Sequence, residues 1–442
     1  MLRKTEFARR RRQLMSRMGD YSIAILPTAP VRQRNRDIDH PYRPDSDFYY
    51  LTGFAEPEAV AVIIPGREHG EYILFCRERD AARETWDGLR AGLEGAREIY
   101  GANDSFPISD IDEILPGLLE KRNRVYYAMG CNQDFDQQVM NWIKQLRRQS
   151  RSGVHAPSEF IALDQMLHEM RLFKSAAEVK VMCEAAAISS AAHLAAMRHC
   201  RAGLYEYQLE GEITYQMQQR GGRHVAYPSI VGGGGNGCIL HYTDNNKKLR
   251  NGDLVLIDAG AEYDYYAADI TRTFPVSGRF TAEQRAIYVL VLKAQQAAMA
   301  EVKPGNHWNQ PHEAAVRVLT KGLVELGLLK GRVATLIRKE GYKQFYLHRT
   351  GHWLGMDVHD VGEYKIGDVW RLFEPGMVLT IEPGLYIPAE SKNVDKRWWN
   401  IGVRIEDNLL VTKEGHRVLT TAPREIAEIE AIMNGKHPSE SA

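Results

Sequence analysis

One short segment of this chain occurs twice, and the repetition constrains the fold more than any other feature. Gly252-Asp-Leu-Val-Leu-Ile-Asp258-Ala-Gly260 lies over Gly376-Met-Val-Leu-Thr-Ile-Glu382-Pro-Gly384 without a gap. In both copies an Ile precedes the carboxylate, one Gly stands six positions before it and another two after it. Each copy is followed by a second β-like stretch with a further carboxylate, Asp269 in AADITRTF and Glu406 in GVRIEDNLLV. A sequence that repeats a supersecondary unit in this way is expected to fold as two pseudo-symmetric halves. The C-terminal part therefore reads as an α+β domain with a pseudo-two-fold internal repeat.

The repeat also limits the chemistry. A carboxylate buried at a strand end is costly unless it is paired or bound to a cation. A duplicated hairpin would aim four of them into one cleft, and divalent cations resolve the repulsion. Taken singly, each acid could be an ordinary turn residue, since Asp-x-Gly and Glu-Pro-Gly are good turn sequences. Between the copies, however, lies a histidine-rich stretch, LHRTGHWLGMDVHDVG, with His348, His352 and His359. Three histidines beside glycines read as a site-forming loop. Arg404 stands two residues before Glu406, so on a strand the two share a face, and the arginine is expected to orient that carboxylate.

At 442 residues the chain is too long for one ordinary core, and two domains are expected. From about residue 20 to 150 the β-like runs YSIAILP, EAVAVIIPG, EYILFCRE and RVYYAMG alternate with helix-compatible segments, which predicts an α/β domain. Ser175 followed by Glu178 forms a capping-box signature, and a long Ala- and Met-rich helix follows it. The boundary is accordingly set at 172, giving domains over 1–172 and 173–435 and a frayed tail over 436–442. A second capping box, Thr281 with Gln284, opens another helix that ends near Pro304-Gly305. The run Arg9 to Arg12 reads as the solvated face of a short amphipathic helix.

Other readings fall away on composition and motif. With 57 basic and 57 acidic side chains, nothing suggests nucleic acid or an anionic membrane as a partner. The five cysteines contain no CxxC, and no signal-like or membrane-spanning apolar stretch occurs, so a reducing cytoplasmic setting is expected. Gly232-Gly-Gly-Gly-Gly-Asn-Gly237 matches GxGxxG formally, but the β-like CILHYT follows it rather than a helix, so it reads as a flexible loop leading into His241. His168-Glu169 and His312-Glu313 lack the second histidine of HExxH, and no GxSxG occurs.

An ordered series of segments carries a family resemblance: Tyr227-Pro-Ser-Ile-Val, Gly237-Cys-Ile-Leu-His241-Tyr, Leu256-Ile-Asp258-Ala-Gly, Asp269-Ile-Thr-Arg-Thr-Phe-Pro, His348-x-x-Gly-His352-Trp-Leu-Gly-Met-Asp-Val-His359-Asp, Thr380-Ile-Glu382-Pro-Gly and Arg404-Ile-Glu406-Asp. They resemble the aminopeptidase P and prolidase family of metallopeptidases, with its pita-bread fold. Arg43-Pro-Asp-Ser-Asp-Phe-Tyr-Tyr-Leu-Thr-Gly-Phe is similar to the N-terminal domain of the bacterial aminopeptidases P, so the likeness spans nearly the whole chain. The resemblance implies two divalent ions per subunit, usually Mn²⁺, with Asp258 on one, His352 and Glu382 on the other, and Asp269 and Glu406 bridging. It further implies that His359 and His241 contact the substrate around the proline subsite, supported by His348 and Tyr386. Trp86 resembles a tryptophan that completes a neighbouring subunit's site, which implies a homo-oligomer, a dimer or a tetramer. One nitrogen among many carboxylate oxygens independently favours Mn²⁺ or a similar ion over structural zinc.

The expected reaction is release of the N-terminal residue from peptides with proline in the second position. A solvent hydroxide between the ions would attack the scissile carbonyl, and Glu382 would take up the proton of the nucleophilic water. A prolidase restricted to dipeptides shares every ligand and stays open as an alternative. A non-catalytic binding module or a metal-free creatinase-like hydrolase would not be expected to keep all five ligands.

Overall fold

The computed structural model describes residues 2–435. The 436–442 segment, read from sequence as a tail, lies outside the described residues. The chain divides into two compact units between Arg171 and Leu172.

The first unit is built on a six-stranded mixed sheet. Strand β1 (Ser22–Pro27) runs antiparallel to β2 (Val60–Ile63), which pairs with β3 (Tyr72–Cys76), and β3 runs parallel to β4 (Asp104–Pro107). On its other side β1 is parallel to β5 (Arg124–Tyr126), and β5 to β6 (Glu159–Ile161). Near-continuous apolar runs at the centre of the sheet fit burial on both faces, and Ile23, Ile25, Val62, Ile73 and Phe75 are buried accordingly.

The N-terminal arginine run departs from its sequence reading. It lies in α1 (Lys4–Met18), but Arg10 and Arg11 are only 0% and 5% exposed. Their Nη1 groups donate to the carbonyls of Tyr50 and Leu51, in the last turn of α2 (Ser46–Thr52), at 2.9 and 2.7 Å. Helix C-terminal carbonyls lack intrahelical donors and carry the negative end of the dipole, which makes them partners for buried guanidinium groups. Aromatic faces complete the two sites, Tyr50 4.1 Å from the Arg10 guanidinium and Tyr72 4.0 Å from that of Arg11. Only part of the run faces solvent.

In the second unit the long helix α3 (Ala176–His199) opens with the Ser175–Glu178 capping box, and α4 (Glu206–Gln219) follows it. The first half of the repeat comes next. Its outer hairpin pairs β7 (Leu254–Asp258) with β8 (Thr271–Pro275), so that Asp258 lies opposite Thr271. Nested inside is a short ladder between Ala261–Tyr263 and Tyr266–Ala267. The helix α5 (Ala282–Ala300), opened by the Thr281–Gln284 capping box, packs against α6 (Gln310–Glu325). The second half then repeats the arrangement. Strand β9 (Val378–Ile381) pairs with β10 (Asp407–Val411) around an inner ladder between Gly384–Ile387 and Ile401–Arg404.

The glycine that opens each copy has a backbone reason. Gly252 and Gly376 sit at φ +92° and +98°, a region that glycine enters without a side-chain clash. Each thus turns the chain sharply into a buried strand that leads to a carboxylate, Asp258 at the end of the first and Glu382 just past the second.

Candidate metal centre

The duplicated strands end at a common cavity of about 480 Å³. Asp258 closes β7 and Glu382 directly follows β9. Asp269 and Glu406 lie in the junctions just before β8 and β10, not within strands as the sequence had suggested. All four carboxylates line the cavity with His352. Asp269, His352 and Glu406 each offer a ligand atom within 4.8 Å of the others, and His352 Nε2 lies 3.6 Å from Glu382 Oε1.

Hydrogen bonds fix how these groups point. His352 Nδ1 lies 2.9 Å from the carbonyl of Trp353. An N–H there leaves Nε2 to face the carboxylates, the orientation a metal-binding imidazole needs. The Tyr227 hydroxyl lies within hydrogen-bond reach of both Asp258 and Asp269. Thr271 donates to Glu406 at 2.7 Å.

Arg404 corrects the strand-face argument. Its Nη2 donates to Asp258 at 2.6 Å, across the repeat, rather than to Glu406. The strand carrying Arg404 ends there and Glu406 sits past the break, so the two-residue alternation does not extend to it. Arg404 reaches Glu406 only indirectly, by donating from Nε to the Thr271 hydroxyl at 3.0 Å.

Crowded carboxylates with few cations perturb one another. Burial and then the charges of Asp269, Glu382 and Asp258 push Glu406 well above the usual carboxylate range. Burial, only partly offset by His352 and Arg404, lifts Glu382 to about 7. Asp258 is raised by burial in spite of Arg404. Burial would raise Asp269 as well, but its hydrogen bond with His352 and that residue's charge hold it below the ordinary value. His352 is the counterpart: burial lowers it, yet Asp269 and Glu382 lift it to about 9. A donor set of four carboxylates and one imidazole, short of positive charge, fits divalent cations of the hard-to-borderline kind.

The other histidines ring the same space. His241, His348 and His359 all line the cavity, and the His359 and His352 rings meet edge to face at 4.2 Å. His348 Nδ1 lies 2.7 Å from the Arg349 carbonyl, and its Nε2 lies 2.8 Å from the Tyr386 hydroxyl, which in turn accepts from Arg404 at 3.0 Å. Burial pushes His348 down to about 3, so it is neutral at physiological pH, and Tyr386 donates to its Nε2. Tyr386 therefore supports the cavity from behind and does not line it. Trp86 belongs to the first unit, where it lies in the Ala81–Asp87 helix and is 86% exposed.

Several residues of the site had no role in the sequence reading. Tyr227 and Thr271 hold the carboxylates, and Trp308, Tyr364 and Trp370 form an aromatic cavity wall. Thr271 lies two positions after Asp269, a spacing that could have signalled it; the aromatic residues are scattered along the chain and carry no local signal. The glycine run also differs from expectation. Gly232 and Gly233 belong to a strand, Ile230–Gly233, paired with the Asp258 strand, and Gly234–Cys238 is a 3₁₀ turn. The following CILHYT is not a strand.

Comparison with known proteins agrees over both units. Metallopeptidase family M24 matches residues 180–413, and the aminopeptidase P N-terminal domain matches residues 7–127. The Xaa-Pro aminopeptidase of Escherichia coli K12 is 45% identical over 97% of this chain and 98% of its own length. The structure of an aminopeptidase from Pseudomonas aeruginosa is 60% identical, with a TM-score of 0.97, and the match covers 98% of this chain and 99% of that one. A zinc-substituted E. coli aminopeptidase P in complex with product is 44% identical, with a TM-score of 0.95 and 98% coverage of both chains.

Proposed function

The chain belongs to metallopeptidase family M24, in its aminopeptidase P group, and from that premise we propose how its residues divide the work of the reaction. It is a hydrolase, a metal-dependent exopeptidase that releases the N-terminal residue from peptides with proline in second position. The observation that carries the reading is the convergence of Asp258, Asp269, His352, Glu382 and Glu406 on one cavity.

These five residues would hold two divalent ions, with Asp258 on one, His352 and Glu382 on the other, and Asp269 and Glu406 shared. When bound, the ions would act as Lewis acids and make water a competent nucleophile near neutral pH. The donor chemistry favours Mn²⁺.

The remaining tasks fall to the chain itself. Glu382 would receive the water's proton at Oε2, since Oε1 is the oxygen near Thr380 Oγ1 and His352 Nε2. Arg404 and Tyr227 hold Asp258, while Thr271 holds Glu406, so the carboxylates are oriented before substrate arrives. His241 and His359, the exposed histidines of the cavity, contact the substrate around the scissile bond. A prolyl imide offers no N–H, so recognition rests on shape. Trp308, Tyr364 and Trp370 supply a rigid wall for it. Trp86 completes the cavity of a neighbouring subunit in a homo-oligomer, in keeping with its 86% exposure on its own chain. Among the described residues no helix is long and apolar enough to cross a membrane.

The test is hydrolysis of Arg-Pro-Pro against Arg-Pro by chelated protein resupplied with single metals. Release of arginine from the tripeptide, strongest with Mn²⁺, is expected. Cleavage of the dipeptide alone would point to a prolidase, and equal activity after chelation would overturn the metal assignment.

A further inference from the structure

His241 lies in a segment without regular secondary structure, between the 3₁₀ turn Gly234–Cys238 and the β-bridge of Lys248 with Tyr205. Such a segment has no ladder of its own to hold a side chain in place. Side chains hold it instead: Asn245 bonds the Val231 N–H, the Ser229 carbonyl and Glu210, and a single buried carboxylate gathers the two sides of His241.

Glu206, at the start of α4, is 0% exposed; one of its oxygens accepts from the strand and turn that precede this segment and the other from the segment itself. Oε1 accepts from the Gly233 N–H at 2.8 Å and the Asn236 side chain at 2.9 Å. Oε2 accepts from the Tyr242 hydroxyl and from the Lys247 N–H, both at 2.8 Å. The backbone closes the same junction, since the Glu206 N–H donates to the Lys247 carbonyl at 2.9 Å. Four neutral donors, two on each side of His241 in the chain, thus converge on one buried anion. None of these donors is a cation, and the arrangement stands outside the metal cluster.

The donors of this clamp bracket His241 along the chain. Asn236 and Gly233 precede His241, and Tyr242 follows it directly. The Tyr242 ring is itself buried in a small cluster with Ile230, Leu256 and Tyr386, so its hydroxyl cannot swing away to another partner without unpacking. Leu240 and His241, between the two anchored sides, are the residues of the segment that line the cavity.

We propose that Glu206 is a positioning residue for the reaction, setting the place of His241 in the cavity by gathering both ends of its loop. The inference rests on the reading of His241 as a substrate-contacting residue. It requires a carboxylate: an amide of the same shape keeps one acceptor oxygen and turns a donor toward the other two donors.

The experiment is a double-mutant cycle on the metal-loaded enzyme with an X-Pro-Pro tripeptide. Glu206→Gln is expected to lower kcat/KM by about ten- to a hundredfold, with bound metal unchanged, as for other residues that orient a functional group. In the His241→Ala background the same substitution should cost less than about twofold, because the group it positions is gone. In a His359→Ala background it should cost its full factor. Tyr242→Phe, which removes one donor and keeps the ring, should follow the same pattern at smaller size and serves if Glu206→Gln does not fold. Losses that multiply in the His241→Ala background, or a loss of metal in proportion to activity, would overturn the role of Glu206. Wild-type kcat/KM for His241→Ala would overturn the reading of His241 and the proposal with it.

Discussion

The two halves of the second unit share a plan and differ at one decisive position. In each, an outer hairpin encloses a short inner ladder and delivers one carboxylate at the end of the first strand and another at the return. In each, a further segment lies antiparallel beside the first strand. In the first half this is Ile230–Gly233, with Gly232 opposite Leu256. In the second it is the stretch around His352, where Thr380 N–H donates to the His352 carbonyl, Glu382 N–H to that of Thr350, and Trp353 bridges Leu379. Overlaying Asp258 on Glu382 places Leu256 on Thr380, and therefore Gly232 on His352. The cavity histidine of one half is a glycine in the other.

That glycine is enforced locally. A Cβ on Gly232 would sit 2.8 Å from the backbone of Asn236 and Gly237, where the chain folds back on itself. The turn that leads to His241 in one half occupies the space that the His352 side chain fills in the other. Duplication thus accounts for the four carboxylates, and the local fold-back accounts for the histidine standing in one half alone, which would make two metal positions unequal. The halves are also interlocked: Arg404 of the second holds Asp258 of the first, and Thr271 of the first holds Glu406 of the second.

The comparison breaks most visibly if either carboxylate is lost. Asp258→Asn and Glu382→Gln should each lower kcat by about a thousandfold or more, because each removes charge from a shared cluster. Activity within tenfold of wild type for either one would show that its half is dispensable. His352→Gly, which gives the second half the residue of the first, should weaken one of two binding events in a metal titration and leave the other; equal weakening of both would deny the inequivalence.

Acidity sharpens the same contrast. In the metal-free protein His352 is raised to about 9 and Glu382 to about 7, so at neutral pH the imidazole carries a proton that a metal must displace. Metal affinity should therefore fall as the pH drops below about 9, by about tenfold per unit for each proton released. Calorimetry in buffers of different ionisation heat would detect the released protons, and heats independent of buffer would contradict the assignment. Smaller still, Thr271→Val should cost a few-fold to about tenfold in kcat, since it removes one hydrogen bond to Glu406 and one from Arg404; unchanged kcat would mean that the cross-half contact does not orient Glu406. Gly232→Ala should destabilise the fold by about 1–3 kcal/mol through overpacking, with a lower Tm and metal stoichiometry unchanged. An unchanged Tm would remove the steric reason for the asymmetry.

Much of this was legible in the chain. The repeated Gly-to-carboxylate spacing picked out the two halves with Asp258 and Glu382, and the β-like stretch after each copy added Asp269 and Glu406, because a strand that ends at a turn leaves a local, periodic record. Capping boxes at Ser175 and Thr281 marked helix starts for the same reason: the hydrogen bonds involved span three residues. Distant partnerships left no such record. Arg404 sits 146 residues from Asp258, and its neighbour Glu406 was the more natural partner by spacing alone. Arg10 and Arg11 read as solvent-facing because the carbonyls that bury them lie 40 residues away.

The sequence by itself determined which chemistry the chain carries: carboxylates in matched pairs, a histidine between them, and glycines where the backbone must turn. Tertiary structure alone decided who orients whom, and why Gly232 faces the place where His352 stands. Residue type and spacing are properties of the chain, whereas the direction of a hydrogen bond and the room beside a Cα are set by segments that meet only when it folds.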